Sequence, residues 1–195
     1  MTIRPLIIDE IARDVLACVC AALDEAAAEI EGQPGCPDCR SCLVPGRPAW
    51  DGCDNPCDEA VVGGQLSVHL SRMTSSSDLS DRTRERPTSR PCPPQQVTVE
   101  FVVTLLRCAP GPAEDGCPPT CAELDAAARV LHVDTATVHN ALLCCLPRTG
   151  PDPRGWKVAL GLMRTLGPEG GCVGIEQFVT INVPTCPCPD EGVLP

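Results

Sequence analysis

The stretch from Trp156 to Val183 constrains the fold more than any other part of the chain. Trp156, Val158, Leu160 and Leu162 fall on one face of a first arm, and Val173, Ile175, Val179 and Ile181 fall on one face of a second. That period of two is the signature of half-buried strands. Between the arms lie Gly167, Pro168, Gly170 and Gly171. Glycine supplies the positive φ that a tight reversal needs and proline presets a corner, so the segment predicts an antiparallel hairpin. No Gly-Lys-Ser/Thr follows the turn and no helical pattern opens after it, which removes a phosphate-loop reading.

The chain upstream supplies the partners of that hairpin. Residues 8 to 31 predict a helix: Ile8, Ile11, Val15, Val19, Leu23, Ala26, Ala27 and Ile30 recur at three- and four-residue steps, Asp9 and Glu10 sit at the positive end of the dipole, and Gly32 and Pro34 stop it. Gln65 to Met73 alternates Leu66, Val68 and Leu70 against Gln65, Ser67, His69 and Ser71, a strand with one wet face. Val97 to Arg107 is apolar on both faces, with Val102 and Leu106 opposing Val97, Val99, Phe101, Val103 and Leu105, and reads as a central strand. Thr120 and Glu123 form a capping box for a helix through Leu131, and Asp134 recaps a second helical stretch ending near Leu146 and Pro147. Residues 147 to 155 link it to the hairpin. The expected architecture is one α+β domain over residues 1–195: a four-stranded antiparallel sheet with two helices packed on one face, in the order α-β-β-α-β-β.

Three segments carry little apolar material. Residues 32–64 are loop-rich and hold Cys36, Cys39, Cys42, Cys53 and Cys57. Cys36-Pro-Asp-Cys39 followed by Cys42 has the spacing that presents two thiolates to a tetrahedral zinc, with Cys53 or Cys57 closing the site; structural disulfides and buried thiols are the alternatives. Residues 74–96 are Ser, Asp, Thr, Arg and Pro, with Arg82, Arg84, Arg86 and Arg90 as the only basic cluster, and read as a surface loop or a contact arm. Residues 184–195 read as a loose tail. Cys18 and Cys20, inside the first helix, are expected to act as small hydrophobes.

Charge and composition exclude several classes. The net charge is −11 and Lys157 is the only lysine, so the chain should not grip a phosphate backbone. Trp50, Trp156, Phe101 and Phe178 are the only aromatic side chains, too few for base-stacking platforms. No apolar run reaches the ~20 residues needed to cross a bilayer, and the start of the chain lacks the pattern of a secretory signal, so no membrane association is expected. Sixteen cysteines nonetheless belong to an oxidising setting. A protein made in the cytoplasm that later functions outside a cell, as virion proteins do, satisfies both observations.

No nucleophile elbow, His-Glu-x-x-His, Walker loop or dinucleotide fingerprint is present. His69, His132 and His139 have no placement beside a thiol or an acid that would build a catalytic set. The reading is a non-enzyme with no catalytic, cofactor-binding or metal site, and no cofactor.

Ala49-Trp50-Asp51-Gly52-Cys53 leading to Gly63-Gly64-Gln65-Leu66-Ser67-Val68, then Cys92-Pro-Pro, Val99-Glu100, Leu106-Arg107-Cys108-Ala109-Pro110, Cys121-Ala-Glu-Leu and Leu166-Gly-Pro-Glu-Gly-Gly-Cys172-Val-Gly together resemble tail terminator proteins of long-tailed phages that infect actinobacteria. The resemblance runs from about Trp50 to Val183, and the Gly-Pro-Glu-Gly-Gly-Cys-Val-Gly turn is its most specific piece. It implies a structural virion protein that forms a homo-oligomeric ring, expected to be a hexamer, on the last ring of tail tube protein. The ring would end tube polymerisation and meet the head-side connector or stopper, with DNA passing through the lumen without specific binding. A related head-tail joining protein, or a zinc- or disulfide-stabilised interaction module, is the alternative. In such a fold Cys108 is expected to pair with Cys121 or Cys117.

Overall fold

The computed structural model describes residues 6–37, 39–47, 63–76, 95–112, 116–150, 156–169 and 171–185. They form an α+β unit of two helices and a mixed five-stranded sheet. Helix α1 spans Ile7–Glu29 and α2 spans Cys121–Cys144. The strands are β1 (Ser41–Leu43), β2 (Gln65–Ser76), β3 (Gln95–Cys108), β4 (Lys157–Glu169) and β5 (Cys172–Thr185), in spatial order β1-β2-β3-β5-β4. Helix α1 packs over β1, β2 and β3, and α2 packs over β4 and β5.

The expected sheet needs one correction. It has five strands rather than four and is mixed rather than antiparallel, because Ser41–Leu43 pairs in parallel with Leu66–Val68. The apolar alternation in β2, β3, β4 and β5 exposes those strands to pattern reading, whereas a three-residue edge strand of Ser, Cys and Leu has no period to read. The element order is accordingly α-β-β-β-α-β-β.

β3 is central, with antiparallel neighbours on both sides. Its inward row of Val97, Val99, Phe101, Val103 and Leu105 is buried against Ile11, Val15, Val19 and Leu23 of α1 and Val138 and Leu142 of α2. Its outward Val102 and Leu106 are buried as well, as expected of a central strand covered on both faces.

A second correction concerns α2. Its capping box is formed as expected, with Thr120 N donating to Glu123 Oε2 at 2.7 Å, but the helix runs unbroken to Cys144. Asp134 does not recap a second helix; it lies fully buried in mid-helix, on the stripe shared with Val138, Ala141 and Cys145. An Asp followed by a helical pattern reads as a cap when its tertiary partner is not known.

The hairpin forms between β4 and β5, with positive φ at Gly167 and Gly171 as the turn requires. The first arm, however, shifts register between Leu160 and Met163. This bulge takes Leu162 off the inward face, leaving it 67% exposed, and Met163 replaces it opposite Gln177. Gln177 occupies an inward position of β5 between Ile175 and Val179, and its Nε2 donates to Gly161 O (3.1 Å) and Phe178 O (2.7 Å). A buried amide thereby satisfies carbonyls at the bulge.

The cysteines of α1 are also reassigned. Cys18 is joined to Cys145 and Cys20 to Cys36, so both are cross-links rather than small hydrophobes. The first ties α1 to the end of α2; the second ties α1 to the loop that follows it.

Candidate functional site: the sheet edges and the covered outer face

The zinc reading fails on its own ligands. Cys36 is in a disulfide with Cys20, Cys39 is also disulfide-bonded, and Cys42 is an exposed thiol. Two thiolates of the proposed set are therefore oxidised; Cys53 and Cys57 lie outside the described residues. Among the described residues no group of three or more His, Cys, Asp or Glu is placed to hold a metal ion. Cys108 does form a disulfide, but not with Cys121, which is an exposed thiol.

The densest polar constellation lies inside the fold. Arg107, at the inward end of the β3 alternation, meets Asp134 of α2 through Nε to Oδ2 at 2.9 Å and Nη2 to Oδ1 at 3.0 Å. Its Nη1 donates to Gly35 O at 2.8 Å and its Nη2 to Pro34 O at 3.2 Å, while Gln33 Nε2 donates to Asp134 Oδ1 at 2.8 Å. Every one of these side chains is buried. The bidentate geometry and the backbone carbonyls satisfy the guanidinium, so the network locks the Gln33–Gly35 loop between sheet and helix. A cavity of about 300 Å³ adjoins it, lined by Gly32, Pro34, Ala127, Val130 and Val173 around Arg107. Its lining is mostly apolar, and its one charged group among the described residues, Arg107, is already engaged with Asp134, Pro34 and Gly35. Nothing there is free to act as acid, base or nucleophile.

A second polar row crosses the face of the sheet opposite the helices. By register Ser67, Thr104, Glu176 and Arg164 stand side by side on β2, β3, β5 and β4. Arg164 Nε donates to Glu176 Oε2 at 2.6 Å, and Arg47 stands 3.9 Å from the other carboxylate oxygen. Ser67 and Thr104 are buried with hydroxyls that meet no hydrogen-bond partner. The expectation of a wet outer face is thus corrected at this end of β2: among its described side chains the exposed ones are those of Leu70 to Thr74.

His69, next to that row, is half-buried, with a buried Nδ1 lacking a partner. Burial holds its imidazole below the ordinary value of 6.5, Glu176 pulls it up and Arg47 pushes it down. A folded-state pKa below the unfolded one contributes stability that is complete above the unfolded value and is lost as the pH falls through the folded value. The unfolding midpoint should therefore decline on acidification below about pH 6.5, and His69→Asn should flatten that limb. Equal slopes for the two proteins would contradict this placement. His132 and His139, in contrast, are exposed on α2.

What remains is the perimeter of the sheet. β4 is an outermost strand, so its 13 residues have no further strand beside them among the described residues. On the opposite side β1 and the Val44 N–H, which donates to Val68 O, occupy the edge of β2 only as far as Val68, and among the described residues no strand pairs with the outer edge of His69–Ser76. Among the described residues no strand pairs with these two edges, and an open edge is the usual template for strand pairing with another chain.

Among the described residues no helix is long and apolar enough to cross a membrane. Neither a protein-family model nor a curated protein sequence matches the chain.

The sequence patterns alone did not point out the Arg107–Asp134 and Glu176–Arg164 pairs. A signal for the first was present: Arg107 completes the inward alternation of Val97 to Leu105, and Asp134 lies four residues before Val138 on the buried stripe of α2. Two opposite charges at inward positions of two elements point to each other. The two ends of the expected 74–96 loop are strand, in β2 to Ser76 and in β3 from Gln95, and the expected 184–195 tail begins as strand to Thr185; residues 77–94 and 186–195 lie outside the described residues.

Proposed function

We propose that this chain is a structural virion subunit that assembles as a ring at the head-proximal end of a long phage tail, ends tube polymerisation and joins the tail to the head connector. The observation that carries the reading is the pair of open edges on opposite sides of one sheet. A subunit of that kind presents two different surfaces to its neighbours, which is what a closed cyclic assembly uses. The charged groups buried between sheet and helices, Arg107 and Asp134, are bonded to each other, to Gln33 and to the carbonyls of Pro34 and Gly35. The resemblance of the Leu166–Gly174 turn and the upstream segments supplies the identity of the assembly. The disulfides fit a particle that works outside the cell, and the net charge of −11 fits a lumen through which DNA slides.

The expected phenotype is specific. In a phage that encodes this chain, its removal should yield tails of uncontrolled length that are not joined to heads, and the wild-type chain supplied in trans should restore both. Normal tails in its absence would overturn the reading. Deletion of residues 76–94 asks whether the Arg-rich segment is a ring or connector contact: the expected result is loss of joined particles, and normal joined tails would show that the arm is not the contact.

A further inference from the structure

Resting on the ring reading, we propose that the ring interface is formed head to tail by a second copy of this chain: β4 of one subunit pairs antiparallel with the His69–Ser76 edge of β2 in the next. Three features of the subunit select this pairing.

The first is direction. β2, β3, β5 and β4 alternate without exception, so β4 runs opposite to β2. A neighbour related by rotation about an axis lying along the strands keeps the direction of its β2, and the two edges meet antiparallel. Repetition continues the alternation around the ring and leaves only the three-residue β1 as an edge. Register shifts at Leu70/Arg72 and Leu160/Met163 bend both edges, as a curved, closed sheet requires.

The second is apolar fit. Leu70 stands opposite Phe101 and Met73 opposite Val99, on the face that the helices cover elsewhere, yet they are 42% and 50% exposed. On β4 the same face carries Val158, Leu160 and Met163, which are half-buried against the core. Edge pairing places the two uncovered side chains of one subunit beside that half-covered stripe of the next.

The third is charge. α1, on the β1–β2 side, exposes Asp9, Glu10, Asp24, Glu25 and Glu29, with Arg13 as its only basic residue. The β4 side exposes Arg148, Lys157 and Arg164, with Glu169 as the exposed acid at the turn end of the strand. Head-to-tail contact brings the acids of α1 towards the cations of β4, with Arg72 of the β2 edge held by Glu100, whereas a two-fold contact of β4 with β4 opposes like charges.

The test compares the full-length wild-type chain with Leu70→Glu/Met73→Glu by native mass spectrometry and sedimentation velocity, alone and with purified tail tubes. Both side chains are exposed in the subunit, so the unfolding midpoint should stay within about 2 °C of wild type. The ring-sized species should drop by roughly tenfold or more at equal concentration, because inward-pointing charges block an edge. Leu70→Ser/Met73→Ser is the milder companion should the glutamates impair folding. A variant that still forms rings overturns the edge pairing and leaves the ring reading standing. A wild-type dimer that survives the substitutions replaces head-to-tail contact with a two-fold one. A wild-type chain that stays monomeric, with and without tubes, overturns both readings.

Discussion

Asp134→Ala should be the most destabilising single substitution in the described fold, lowering the free energy of unfolding by about 3–5 kcal/mol, because it leaves the guanidinium of Arg107 buried without its counter-charge. Only 6% of the Arg107 side chain and none of the Asp134 side chain is exposed, so water cannot take over the lost bonds. For a chain of this length each kcal/mol shifts the unfolding midpoint by roughly 2–4 °C, which places the variant roughly 6–20 °C below wild type. Arg107→Met/Asp134→Leu is the informative companion. It removes both charges and fills the space, and it should recover most of the loss, since a buried pair contributes little net energy relative to packed apolar groups. Arg107→Met alone should resemble Asp134→Ala, with the added loss of bonds to Pro34 O and Gly35 O. A cost under about 1 kcal/mol for Asp134→Ala, in a thermal or denaturant melt, would show that the network does not hold the loop as described.

Removal of the Cys18–Cys145 bridge should have a comparable effect by a different route. The bridge closes a separation of 127 residues, for which chain-entropy arguments give about 5 kcal/mol, against about 3 kcal/mol for the 16-residue separation of Cys20–Cys36. The shorter bridge lies within the longer loop, and shortening that loop by its span changes the entropy by only about 0.1 kcal/mol; the disulfide-bonded Cys39 and Cys108 also fall inside it, which makes about 5 kcal/mol an upper value. Cys18→Ala/Cys145→Ala should thus melt well below wild type and well below Cys20→Ala/Cys36→Ala, measured without reductant. In reductant the order should collapse. If the long-range pair proves no more costly to lose than the short one, packing of α1 against α2 rather than the covalent tie dominates that contact.

The parts of this fold that could be read in advance are those in which one period governs a whole element. β3 carries its apolar side chains at every inward position from Val97 to Leu105, and α1 repeats Ile11, Val15, Val19 and Leu23 on one stripe; their existence and placement follow directly. The Thr120–Glu123 capping box is equally local and was legible for the same reason. The misses arise where a residue's role depends on a partner far away in sequence. Asp134 resembles a cap until Arg107, 27 residues upstream, is brought against it. Cys18 resembles a small hydrophobe until the end of α2 brings Cys145 beside it. Leu162 fits the alternation of β4, but a bulge stabilised by Gln177 displaces it, and bulges leave no trace in a pattern of period two. The functional surface divides in the same way. Leu70 looks like one more core residue of β2, and only the reach of the helices over the sheet leaves it exposed.

The claim at the centre of this account is that one chain closes on copies of itself to cap a tube. The measurement that tests it most directly is the native mass of the purified chain, recorded alone and after mixing with tail tubes, beside its denatured mass with and without reductant. A tube-capping subunit should give a closed ring, formed in solution or only on the tubes, built from disulfide-containing subunits. A chain that remains monomeric under both conditions, or that carries bound zinc with Cys36 and Cys39 reduced, would contradict it.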